Sequence, residues 1–407
     1  MKSTKPPGPE VLAKRVRSFG ATVFSEFSAL AVQHGAVNLG QGFPDFDGPD
    51  EVKEAAMAAI RTGNNQYAMG GGAMALRTAI AEHSERFYNQ RLDPASMITV
   101  TSGATEALLC AILGLVDRGD EVILFEPFYD SYEANVLMAE GIPRYVLLQP
   151  PDEHHAHWWF DFDELAAAFN SRTKMIVVNT PHNPTGKVFT RQEIELIGEL
   201  CRKHEAIALC DEVYEHIVFP PARHLRMGTL PDFADRTLTV SSGGKTFSLT
   251  GWKIGWAIGP PALQHALRQA HQWVTFATAA PLQAGIACAL RLPDGYFERL
   301  ATSYAAKKRQ LVNALAQASL GPVEPEGSTF VMADTRSVGF DDDFEFCRFL
   351  TTQVGVAAIP PSAFYSEPHK HHGKGFARFA YCKTESVLDA AAERLSRWAA
   401  GRHRPTV

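Results

Sequence analysis

Short apolar runs recur between residues 97 and 259, and each ends in small, polar or turn-forming residues. Residues 97–101, 121–125, 174–179, 206–210, 237–240 and 254–259 are such runs, and they predict buried strands. Between them the apolar positions fall at helical spacing, as in residues 107–116 and 191–204. Strands apolar on both faces, alternating with helices, predict an α/β architecture with a mainly parallel sheet covered on both sides. Such a sheet binds ligands at the carboxyl ends of its strands, so the residues just after each run are the ones to inspect for chemistry. After Leu292 the pattern changes. A long helical stretch at 296–318 precedes candidate strands at 328–333 and 377–381 and a helix at 385–399. This is the signature of a smaller α+β unit, and the stretch before Asp45 is expected to pack on it.

A chain of 407 residues exceeds a usual single core, which supports two domains. The formal charge of -6, with no basic stripe, argues against a nucleic-acid partner. No apolar run approaches the length of a membrane span. Residues 1–9 lack the apolar stretch of a signal peptide and read as a flexible lead-in. The six cysteines form no Cys-x-x-Cys pair and sit mostly among apolar neighbours, so they read as core residues of a protein in the reducing cytoplasm. The histidine-rich stretches at 154–157 and 369–372 lack a supporting ligand set, read as solvated loops, and give no reason to expect a metal.

The densest chemistry lies in Ser241-Ser242-Gly243-Gly244-Lys245-Thr246, on a small-residue loop between two predicted core strands. Its glycines let the backbone pass close to a bulky group. Hydroxyls and a second lysine, Lys253, surround Lys245 and suit a phosphate. A lysine in a partly apolar pocket loses its proton more readily and becomes a nucleophile toward aldehydes. A phosphate beside a reactive lysine points to pyridoxal phosphate. The segment lacks the first glycine of a nucleotide phosphate loop.

Four further segments bear on this reading. In Asn179-Thr180-Pro181-His182-Asn183-Pro184, Asn183 could donate to a ring hydroxyl, or the stretch could be a plain turn. Asp211 ends an apolar run, where a carboxylate needs a cationic partner such as a protonated pyridine nitrogen, and Tyr214 follows three residues later. Asp211 also suits a buried helix cap. Ser102-Gly103-Ala104-Thr105 stands at a strand-to-helix junction that favours an anion, or simply caps the helix. Arg378, among apolar strand residues, suits a two-pronged carboxylate contact or a structural ion pair.

Taken together and in this order, these segments resemble the class I aminotransferases of the fold-type I pyridoxal phosphate family. The resemblance extends from Asn38-Leu39-Gly40-Gln41-Gly42-Phe43-Pro44 to Arg378, including Asn65-Gln66-Tyr67 and Asp211-Glu212-Val213-Tyr214-Glu215-His216. Within the family the chain is most similar to bacterial methionine aminotransferases and kynurenine aminotransferases. The resemblance implies a mostly parallel seven-stranded sheet in a large domain, 46–292, and a small domain from 1–45 plus 293–407. It implies that Lys245 bonds the cofactor aldehyde and moves the substrate proton, with Asp211 on the pyridine nitrogen. Asn183 and Tyr214 would bond the ring oxygen, and Tyr129 would stack on the ring. Gly103, Ala104, Thr105, Ser242 and Lys253 would hold the phosphate. Arg378, helped by Gly40 and Asn183, would hold the substrate carboxylate. Tyr67 would reach the phosphate of a neighbouring subunit, which makes the protein a homodimer.

The implied reaction is ping-pong transfer of an amino group from an apolar or aromatic amino acid to a 2-oxo acid. Eukaryotic kynurenine enzymes carry aromatic residues near Thr22 and at Ala104, so the methionine-type pattern fits better. Phe19, Phe24 and Phe43 are candidates to line an apolar side-chain pocket. A lyase cleaving Cβ–S bonds on the same scaffold is the first alternative, and an N-succinyldiaminopimelate aminotransferase the second. The latter needs an extra cation for a distal carboxylate, and no residue stands out for it. A DNA-binding regulator lacks room before Val11 for a helix-turn-helix, and a dinucleotide enzyme lacks Gly-x-Gly-x-x-Gly after a strand.

Overall fold

The computed structural model describes residues 11–402 apart from Ser18 and Ala21, and the lead-in expected at residues 1–9 lies outside them. Among the described residues twelve strands are formed: β1 Val37–Asn38, β2 Ile98–Ser102, β3 Glu121–Glu126, β4 Ile142–Leu147, β5 Thr173–Asn179, β6 Ile207–Asp211, β7 Thr237–Ser242, β8 Ile254–Ile258, β9 Gly321–Val323, β10 Phe330–Asp334, β11 Val356–Ala357 and β12 Phe376–Ala380.

Seven of these make one sheet in the order β2-β8-β7-β6-β5-β3-β4. Strand β8 runs antiparallel to both its neighbours, and the remaining pairs are parallel. All six predicted apolar runs are in this sheet. Each is buried on both faces, because helices such as Gly103–Leu115 and Arg191–Lys203 cover it from either side. The second of these helices starts where Thr190 and Glu193 form a reciprocal cap, which satisfies two of the otherwise orphaned amides of its first turn.

The seventh strand, β4, forms the open edge and leaves alternate residues exposed. It contains Pro143, which an edge position tolerates because one side of its backbone needs no partner.

Beyond the sheet, β12-β10-β9 form a three-stranded antiparallel layer. Strand β1 pairs parallel with β11. Phe27 and Leu39 from the N-terminal stretch share one apolar core with Phe330, Phe379 and Leu395. Among the described residues no helix is long and apolar enough to cross a membrane.

Candidate active site

Neighbouring parallel strands end at the same level, so residues far apart in sequence meet there. Strand β6 ends at Asp211. Its neighbour β7 ends at Ser242, and the next turn, Gly243–Thr246, carries Lys245. Strand β2 leads through Ser102 into the helix Gly103–Leu115. A cavity of about 330 Å³ opens at this level, and Gly42, Phe43, Phe330 and Arg378 form part of its wall. Lys245, Asp211, Asn183, Tyr214, Tyr129, Gly103, Ala104, Thr105, Ser242 and Lys253 also line it. Gly40 joins through its carbonyl, which accepts from Arg378.

Asp211 is 4% exposed. Tyr132 Oη donates to its Oδ2 at 2.7 Å and the Val213 amide to its Oδ1 at 3.3 Å. It makes no salt bridge among the described residues. Burial therefore dominates and pushes its pKa up to about 6, against the pull of those bonds and of the Lys245 charge. Lys245 is half-buried: it faces the cavity, and protein packs around the rest of it. Its Nζ donates to the Gly42 carbonyl at 3.0 Å. Burial, with the Arg378 charge, lowers its pKa. Burial likewise raises that of Tyr214 and pushes that of Tyr129 up to about 12.

Gly103 has φ 74°, in the left-handed region open to glycine. A Cβ there would come within 3.0 Å of Lys253 Nζ, which also donates to Thr105 Oγ1 at 3.4 Å. Strand β8 runs so close behind that a Cβ on Gly255 would lie 2.5 Å from Gly103 C and 2.6 Å from Ala104 N. The first amides of the helix have no intrahelical partner by position, and with Lys253 they make an anion cradle.

Arg378 is 1% exposed. Its Nη1 donates to Asn183 Oδ1 at 3.0 Å and its Nη2 to Gly40 O at 2.7 Å, while Nε has no partner among the described residues. Phe330, Phe364 and Phe24 surround the guanidinium at 4.2, 4.9 and 5.1 Å from their ring centres. Burial without a carboxylate partner brings its pKa down to about 10. A buried cation bonded only to neutral oxygens is built to receive an anion.

Two residues that the sequence pointed to stand apart from the cavity. Tyr67 is 83% exposed and packs edge-on to Phe276 at 5.2 Å. Phe19 lies outside the lining, whereas Phe24 and Phe43 are in it. Tyr132 and Asn179 went unrecognised in the sequence. Tyr132 steers Asp211, and Asn179 Oδ1 accepts from the Asn183 amide at 2.7 Å. Neither carries a local signal, since Tyr132 reads as an ordinary helix residue and Asn179 as a strand end.

This donor set fits pyridoxal phosphate. The carboxylate of Asp211, which has no cationic partner among the described residues, matches a ring cation, the cradle matches a phosphate, and Lys245 lines the same cavity. Residues 35–395 match the family model described as aminotransferase class I and II. The chain is 42% identical over 387 residues to the methionine aminotransferase of Escherichia coli, covering 95% of this chain and 98% of that one. It is 41% identical over 414 residues to the kynurenine–oxoglutarate transaminase of Dictyostelium discoideum, covering 94% and 95%. The solved N-succinyldiaminopimelate aminotransferase of Mycobacterium tuberculosis superposes with a TM-score of 0.91 at 43% identity, covering 95% of this chain and 100% of that one. With nearly every residue matched, the chain belongs to the class I and II aminotransferases, enzymes that carry pyridoxal phosphate.

Proposed function

We propose that this aminotransferase takes an amino acid with an apolar or aromatic side chain, of the methionine, phenylalanine or kynurenine kind, and passes its amino group to a 2-oxo acid. One observation carries the choice of substrate. Among the described residues the cations lining the cavity are Lys245, Lys253 and Arg378. The first two have work with the cofactor, which leaves a single fork for a single carboxylate. Phe24 and Phe330 flank that fork, and Phe43 lines the same cavity. A second carboxylate on the substrate would meet apolar surface, which costs free energy unless it is paired.

When bound, the cofactor supplies an aldehyde that condenses with amines and a ring that withdraws electrons from the carbon bearing the amino group. Asp211 would hold the ring nitrogen, Asn183 and Tyr214 the ring oxygen, and Tyr129 the ring face. Gly103, Ala104, Thr105, Ser242 and Lys253 would hold the phosphate. Lys245 Nζ, its pKa lowered, would take the proton from the substrate α-carbon and carry it onward instead of returning it to that carbon. Arg378, with Gly40 and Asn183, fixes the substrate carboxylate and so aims the α-proton toward Nζ. Residues 46–292 form the unit with most cofactor contacts, and the described residues before and after them the unit with Arg378. Tyr67 acts across a homodimer, and the six free thiols suit the cytoplasm.

The test is a panel of amino acids with 2-oxo acid acceptors, scored by kcat/KM. Methionine and the aromatic donors should lead, and a strict preference for aspartate or for succinylated diaminopimelate would overturn the substrate assignment. Pyruvate and ammonia released from cysteine conjugates without any 2-oxo acid would instead establish the lyase. Lys245→Ala should reduce transamination to background, and wild-type turnover in that variant would remove Lys245 from the chemistry.

A further inference from the structure

Glu106 stands in the first turn of the helix that begins the phosphate cradle. It is 6% exposed, and a buried carboxylate beside an anion site opposes the anion it borders. Two contacts account for its presence. Its Oε2 accepts the backbone N–H of Ser102, the residue just before the cradle. This pins the turn from which Gly103, Ala104 and Thr105 line the cavity. Its Oε1 lies 2.5 Å from Nδ1 of His271, which is 1% exposed and comes from a different helix, Pro261–Val274. Cys110 Sγ lies 3.8 Å from the same oxygen and is too weak a donor to balance a charge. Burial pushes the Glu106 carboxyl up, yet the bonds from His271 and Ser102 bring it below its usual value, so it is ionised. The other imidazole nitrogen, Nε2, is buried without a partner among the described residues. That arrangement is costly, and a purely structural pair would have little reason to keep it.

We propose that Glu106 and His271 are a positioning pair for the cofactor phosphate: Glu106 sets the geometry of the cradle, and His271 screens the negative charge this places beside it. Neither residue touches the reacting atoms. The inference rests on the phosphate contacts proposed above.

The experiment compares binding of pyridoxal phosphate with binding of pyridoxal, which has the aldehyde and ring without the phosphate. Dissociation constants are read by absorbance titration of the cofactor-free protein. In His271→Leu the carboxyl loses the partner that holds its pKa down, so the titration is run at about pH 8.5, where the carboxylate stays charged and stands without its screen. The dissociation constant for pyridoxal phosphate should rise roughly tenfold, the scale of one lost charged hydrogen bond, with pyridoxal changed by less than about twofold. The double variant Glu106→Gln/His271→Leu should regain most of the loss, because the amide still accepts from Ser102 and carries no charge. If His271→Leu does not fold, His271→Met, which also lacks a donor, carries the same expectations.

Parallel weakening of both ligands, or an unchanged ratio between them, would overturn the screening role. So would a double variant no better than the single one. If the parent protein itself fails to prefer pyridoxal phosphate over pyridoxal, the phosphate contacts are wrong. A large parental preference that the variants leave untouched rejects the Glu106–His271 pair alone.

Discussion

At the scale of single residues, the candidate site buries Asp211, Lys245 and Arg378 where folding alone disfavours their charged forms. Asp211 is the clearest case. A carboxyl whose folded pKa is raised from 3.8 to about 6 binds more protons folded than unfolded in that interval. The cofactor-free protein therefore loses stability from this group as pH rises from about 4 to about 6. The loss is fully present above that window, at about 3 kcal/mol as an order of magnitude. Asp211→Asn keeps a side chain that can bond Tyr132 and removes the charge. We expect it to abolish transamination yet to stabilise the cofactor-free protein near pH 7.5, measured by urea unfolding. The gain over the parent should shrink toward pH 4, and equal stability at both pH values would refute this account of Asp211. Arg378→Lys keeps a cation and loses the fork held between Asn183 and Gly40. KM for amino acid donors should rise on the order of 10- to 100-fold, the equivalent of one charged hydrogen bond, and an unchanged KM would take Arg378 out of the substrate site.

At the scale of elements, legibility followed burial. The six strands covered on both faces stood out as apolar runs, and Asp211, Ser242 and Lys245 followed because each comes at or just after the end of such a run. Strand β4 did not stand out, because an edge strand shares its burial with solvent and its apolar content falls accordingly. The two-residue strands β1 and β11 are too short for any periodicity to show. Tyr132 meets Asp211 across 79 positions of sequence, a contact made only by the packing of a helix against the sheet. Strand β8 offers a sharper lesson. In the sequence Gly255 is one small residue in a core run, yet in the fold it lets β8 pass against the backbone of Gly103 and Ala104. Gly255→Ala must displace the cradle, since neither backbone atom is the end of a flexible side chain. We expect overpacking of about 1–3 kcal/mol in stability and a clear fall in affinity for pyridoxal phosphate. Titration of the cofactor-free variant checks it, and parental affinity would show that the cradle tolerates the shift.

For the whole molecule, the decisive feature is an apolar surface that the described residues leave uncovered. Tyr67, Met69, Trp273, Val274 and Phe276 are 83%, 69%, 81%, 44% and 53% exposed. Tyr67 packs on Phe276 and is not part of the cavity lining. Exposed aromatic and apolar side chains of this kind are what the proposed partner subunit would cover. If Tyr67 serves the phosphate of a partner subunit, dimerisation and cofactor retention are one equilibrium, and weakening either weakens the other. Trp273→Asp places a charge on this surface without touching the cavity lining. Sedimentation should then show a shift from dimer toward monomer at micromolar concentration, with a matching loss of pyridoxal phosphate on dialysis. Adding excess cofactor should draw the variant back toward the dimer, because a ligand held partly by the partner favours the assembled state. A variant that dissociates yet keeps its cofactor as firmly as the parent would leave the interface intact as a proposal but separate Tyr67 from the phosphate. A variant that remains fully dimeric would place the interface elsewhere on the molecule.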